Sequence, residues 1–267
     1  MQALIQTEFK RNFRSLLLWT VIVAGLAGLM LFLFPAFENT FSEIEQLLAA
    51  YPPEFLEAFG LGENGLDMST IYGWFGVEGY LFVTLIGGSY AAILGSSILS
   101  KEEDDKTIEF LLSKPISRTK IFFGKALVVL INLVILNIIV SIFLLIAFST
   151  LGDFDVILWL LFSFAPLLLQ LVFASVALLI SIFVTKSRQV MSISLGLSIG
   201  LYVVDIISTL TESAEFLKYF TPYEYINATS IVNDLEIKPI YLLISLTVIV
   251  ISLLSGWLLY KKKDISV

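Results

Sequence analysis

The sequence of 267 residues contains neither cysteine nor histidine. The first absence excludes disulfides, thiol nucleophiles and thiolate metal sites, and the second excludes every imidazole-dependent mechanism. Charge is scarce as well, at 15% Asp, Glu, Lys and Arg, against about 25% in soluble domains. The net charge is −7 and no basic patch offsets it, which argues against a nucleic-acid partner.

In place of those residues stands apolar sequence, 58% of the chain, with a mean hydropathy of +0.93. It is gathered into blocks, and a helix needs roughly 20 consecutive apolar residues to cross a hydrocarbon core of about 30 Å. Six blocks qualify: 15–37, 79–100, 126–148, 156–184, 190–210 and 240–260. The first is too long for the apolar core of a cleaved leader and is followed by Phe-Pro-Ala-Phe-Glu, not by a small-residue cleavage pattern. The reading is an all-α integral membrane protein, one transmembrane domain over 1–267.

Basic residues remain on the cytoplasmic side of a membrane. One set of flanks holds Lys10, Arg11, Arg14, Lys101, Lys106, Lys114, Arg118, Lys120, Lys125, Lys186, Arg188, Lys261, Lys262 and Lys263, and the other only Lys218 and Lys238. Both termini are therefore predicted to be cytoplasmic. The acids lean the other way, with fifteen of 23 in the three predicted outer segments, 38–78, 149–155 and 211–239. A cationic ligand would meet a favourable field there; the plainer reading is that acids stay where bases are excluded.

Within 38–78, Ile44, Leu47, Leu48 and Tyr51 repeat at helical spacing, Pro52-Pro53 ends that stripe, and "EFLEAFG" begins a second short helix. At the N-terminus, Ile5, Phe9 and Phe13 stand four apart beside Lys10, Arg11 and Arg14. Residues 1–14 thus read as an amphipathic elbow helix lying in the interface before the first span.

The most charged stretch, "KEEDDKTIEFLLSKPISRTKIFFGK", joins spans two and three over 101–125. Inside it Ile108, Leu111 and Leu112 fall at i, i+3, i+4 with Phe110 beside them, and Pro115 stops the helix. Exposed aliphatic and aromatic anchors rimmed by charge suit a groove in a soluble partner. A plain solvated connector is the alternative on these residues alone.

This stretch resembles the cytoplasmic signature of ABC-2 type transporter permeases: an acidic cluster, Gly-Thr-Leu-Glu, Leu-Leu, Pro-Ile/Val-Ser-Arg, and a closing Gly-Lys. Thr107, Glu109, Leu111, Leu112, Pro115, Ser117, Arg118, Gly124 and Lys125 match it, and Lys106 stands where the family commonly has Gly. Six spans, a longer first outer loop, and "LKYFTPYEYIN" before the sixth span extend the likeness along the chain.

The resemblance implies a cytoplasmic coupling helix that docks on separate ABC ATPase subunits, through Thr107, Glu109, Phe110, Leu111, Leu112, Pro115 and Arg118. It implies a permease of the plasma membrane of a bacterial cell, paired with a second permease subunit in a homodimer or a related heterodimer and surrounded by lipids. ATP and Mg would then sit on the partner ATPase, and no cofactor on this chain. Consistently, the chain has no GxxxxGK[ST] loop, since Gly124-Lys125 is followed by Ala126 and has no upstream glycine.

Span two is dense in small residues, Ser89 and Ser96 among them, and span five carries Ser198 and the pair Gly196 and Gly200. Such residues let helices approach closely. The family resemblance places spans one, two and five around a path between two subunits, which makes these residues candidates for the path or for dimer packing. Asp205 is the sole carboxylate well inside a predicted span, either a functional group or one that reaches the headgroups. An intramembrane enzyme lacks a credible catalytic set, with no His, Cys, paired Asp, or Ser beside a base. Two readings are left: an exporter subunit moving a hydrophobic or amphipathic cargo, peptide or drug-like, and a membrane anchor or sensor that recruits a cytosolic ATPase without transport.

Overall fold

The computed structural model describes residues 1–37, 40–41, 47–48, 50–57, 59–61, 65–108, 115–152, 154–184, 186–210 and 212–263. Among them there is no strand, and six helices are long and apolar enough to cross a membrane. The protein is a multi-pass, all-α membrane protein, as its apolar blocks require.

The helices are α1 (Gln2–Phe37), α2 (Gly87–Asp104), α3 (Arg118–Leu151), α4 (Val156–Phe183), α5 (Ser187–Leu210) and α6 (Pro239–Lys262). Local chemistry sets several boundaries. Ser117 caps α3 by accepting from Lys120 N, and Asp155 caps α4 by accepting from Ile157 N at 2.7 Å and Leu158 N at 3.1 Å. Pro239 opens α6, where its missing N–H costs no hydrogen bond.

The expected elbow is not a separate helix. Residues 2–37 form one uninterrupted helix of 36 residues, about 54 Å long, so its first turns run past the hydrocarbon core in line with the span. The reason is a single buried stripe, Leu4, Glu8, Leu16, Thr20, Val23, Ala27, Leu31 and Phe34, which keeps one face of the helix on the bundle from end to end.

The second span begins before α2. Two wide π-type turns, Phe75–Gly79 and Phe82–Ile86, lead into it from the short helix Ile71–Trp74. It is also the most enclosed span, 67% buried over its apolar window, against 17% for α5 and for α6. It packs on α4 and α5, while α1 lies on α3 and α6 on α4. Small residues permit the α2–α4 contact: a Cβ on Gly95 would stand 2.4 Å from the carbonyl oxygen of Ala174.

At the end of the bundle rich in acids, Trp74 Nε1 donates to Met30 O at 2.8 Å and the Asp155 amide donates to Tyr72 Oη at 2.7 Å. Short helical turns, Glu212–Tyr219, Glu224–Ile226 and Ser230–Asp234, cover the same end between α5 and α6. The short helix expected at "EFLEAFG" is present as Pro53–Glu57. Of the preceding apolar stripe, Ile44 lies outside the described residues.

Candidate functional site

At the opposite, basic end, three consecutive acids on the last turn of α2 each hold a different helix. Glu102 reaches α3 and α1: its Oε2 lies 2.5 Å from Lys125 Nζ, and its Oε1 is 3.3 Å from Arg11 Nη1. Glu103 reaches the end of α6, accepting from Lys263 Nζ at 2.7 Å through both oxygens. Asp104 accepts from the backbone amide of Ser187 at 3.2 Å, at the start of α5. Five helices thus meet on three carboxylates.

The centre of this frame is dry. Lys125 is 1% exposed, and its ammonium also contacts Glu8 Oε1 at 3.4 Å and the carbonyl oxygen of Ile98. Arg11 closes the ring, 3.6 Å from Glu8 Oε1. Two cations face two carboxylates, so the cluster is neutral as a set, and loss of any one member leaves a buried charge unpaired. Gly124 makes room for it, since a Cβ there would touch Leu4 of α1 at 3.1 Å.

The connection between α2 and α3 springs from this frame. α2 ends with Lys106 N donating to Glu103 O and Thr107 N to Glu102 O, with Lys106 at φ 55°. That is the Schellman arrangement, whose left-handed position is ordinarily glycine. The family motif's glycine therefore has a structural meaning, and lysine occupies its place here. On the far side of the connection the Arg118 guanidinium donates to the carbonyl of Lys263. Of the expected docking residues, Thr107 and Pro115 are exposed and Arg118 is partly buried. Glu109, Phe110, Leu111 and Leu112 lie outside the described residues.

The expected path residues do not converge. Ser96 is fully buried and bonds back to Ile93 O at 2.9 Å, Ser89 is partly buried, and Ser198 is buried against Tyr223, their hydroxyls 3.0 Å apart. Gly196 and Gly200 face outward, and a Cβ on either would meet nothing within 4 Å among the described residues. Asp205 stands elsewhere again, on the wall of a cavity of ≈ 340 Å³ at the acidic end.

Over residues 2–265 the chain matches the family described as ABC-2 family transporter protein. It belongs to that family. No curated protein matches the chain. Membership makes it a membrane transport subunit of an ABC transporter, for which an ABC ATPase is the implied partner.

Two features of this ABC-2 chain escaped the sequence reading. The buried Glu8–Glu102–Lys125 set, edged by Arg11, joins residues up to 117 positions apart, and charged residues ordinarily lie in solvent. The second is polar and sits inside the membrane: Asn137 Nδ2 of α3 donates to Gln170 Oε1 of α4 at 2.6 Å, both side chains buried. An Asn and a Gln within apolar runs were the available signal for that interhelical bond.

Proposed function

We propose that this chain is the permease subunit of an ABC exporter, which dimerises to form the path and is driven by separate ATPase subunits docking on the 105–117 connection. One observation carries the reading: that connection is rooted in a charge frame, buried at its centre, that ties α1, α2, α3, α5 and α6 together at the basic end. A force applied there is passed to five helices as a unit, and at the centre of the frame loss of a tie leaves one of the buried groups Glu8, Glu102 or Lys125 unpaired. A mere solvated connector needs no such root.

In this reading the basic end faces the cytoplasm, as the distribution of Lys and Arg requires. The open face of α5 around Gly196 and Gly200 supports a second subunit packing against it. Few charges along the spans favour a hydrophobic or amphipathic cargo, peptide or drug-like. The test is reconstitution of the permease with its ATPase in liposomes, where ATP-dependent, one-directional solute movement is expected. ATP turnover without movement would reduce the chain to an anchor. Leu111→Asp with Leu112→Asp should insert normally but lose the ATPase on purification, since a carboxylate would enter an apolar groove. Stoichiometric co-purification of the double variant would remove those residues as anchors.

A further inference from the structure

The cavity at the acidic end lies within one subunit, between the π-turns that begin the second span, the outer part of α5 and the covering turns that follow it. Its volume of ≈ 340 Å³ falls in the range of small-ligand sites, about 300–1,000 Å³. Three carboxylates line it, Glu57, Glu78 and Asp205, and none of the described lining residues is Lys or Arg. A fourth acid, Glu224, acts on Asp205 from beside it.

Acids alone do not make a site, but two polar atoms here are buried without a hydrogen-bond partner among the described residues. They are the hydroxyl of Tyr80, a residue 5% exposed, and Oδ1 of Asp205. Both residues line the cavity. Buried polar groups are nearly always satisfied, so two orphaned atoms on residues that line one cavity from different helices point to something that satisfies them. Aromatic rings also line it: Tyr202 and Tyr223 meet edge to face at 5.4 Å.

From this we infer that the cavity is a binding site for an organic cation, an ammonium head group whose charge meets Asp205 and whose alkyl substituents lie against Tyr202 and Tyr223. A ring face attracts a cation and also tolerates its apolar substituents. A metal ion does not fit as well, because among the described residues no three carboxylates are grouped closely enough to hold one. The Tyr80 hydroxyl has an acceptor lone pair for an N–H or a polarised C–H of the guest. This site is independent of the ATPase partnership and of the dimer.

Purified permease in a neutral maltoside detergent, titrated calorimetrically with choline and with its uncharged isostere 3,3-dimethylbutan-1-ol, tests the inference. Choline should bind saturably, and the isostere about tenfold more weakly or less. Asp205→Asn, of the same shape, should lose choline about tenfold, the size of one charged contact. Glu78→Gln gives a second reading on a residue outside the apolar run of α5, and a smaller loss is expected. Equal binding of choline and its isostere would overturn the inference, as would unchanged affinity in both variants. Displacement of choline by stoichiometric calcium would overturn it too, since the site would then be a metal site.

Discussion

Lys125 Nζ and Glu102 Oε2 stand 2.5 Å apart, on side chains only 1% and 5% exposed. They come from α3 and α2, the two helices on either side of the proposed docking connection. A buried pair of this kind is not a strong source of stability as such, because desolvation offsets most of the attraction. Its importance shows when one partner is removed and the other is left charged and dry.

Lys125→Met should leave Glu102 and Glu8 facing each other with only the partly exposed Arg11 between two carboxylates. The expected loss is about 3–5 kcal/mol, read as a lowered unfolding temperature and a fall in membrane yield. Adding Glu102→Gln to the same chain should recover much of it, because the buried charge disappears with its partner. If the double variant were as unstable as the single one, the cluster would matter for packing and not for charge.

Lys106 holds a left-handed conformation, φ 55°, at the end of α2. A side chain there costs roughly 1–2 kcal/mol, and glycine avoids it while losing more entropy on folding. Lys106→Gly should therefore stabilise the chain by about 1 kcal/mol, and Lys106→Val should destabilise it, since a β-branched residue suits φ > 0 worst. Thermal unfolding of both variants gives the signs. A stabilising valine would contradict the assignment of this turn.

The boundary between what could be read and what could not depends on the reach of each signal. The six spans were legible because twenty apolar residues in a row are a local fact, and the basic flanks sorted the loops. The glycine position of the motif was legible too, as a departure at Lys106, although only the Schellman bonds say what the departure does. Leu4 and Glu8 belong to the stripe that makes α1 continuous, yet a glutamate on the stripe disguises it as a polar position. Lys125 looked like one more cytoplasmic charge, because burial depends on Glu8, 117 residues away, and nothing local announces that partner. The pair Gly196 and Gly200 was readable as a packing motif, but the absence of an internal neighbour required the fold.

Glu224 lies in the covering turns, outside the spans. Burial pushes its carboxyl above the usual range, and the hydrogen bond from Asn227 Nδ2, at 2.9 Å, only partly offsets this. A carboxyl raised on folding favours the folded state while it is protonated. That contribution is complete below the unfolded value and is lost as pH rises through the folded one. Glu224→Gln should thus be indistinguishable from the parent at about pH 4 and more stable at neutral pH, the gap widening upward from acid. Unfolding temperatures across pH 4–8 measure it. A gap that closes toward neutral pH would show that Asn227, with Lys218 and Lys238, outweighs burial.

Gly95 and the pair Gly196 and Gly200 give the last contrast. A methyl group on Gly95 would lie 2.4 Å from the backbone oxygen of Ala174, and backbone cannot step aside as a side chain can. Gly95→Ala should cost about 3 kcal/mol or more, with loss of folded protein. On Gly196 and Gly200 a Cβ would meet no described atom of another element within 4 Å, so Ile at both positions should leave the subunit folded with six spans. If a second subunit packs there, the same side chains hold two backbones apart, and close van der Waals contact is what joins helices in lipid. The double variant should then be well expressed, monomeric on cross-linking in membranes, and unable to stimulate its ATPase. A well-expressed variant that still cross-links as a dimer places the interface elsewhere, and a poorly folded one would show that this face is covered within the subunit.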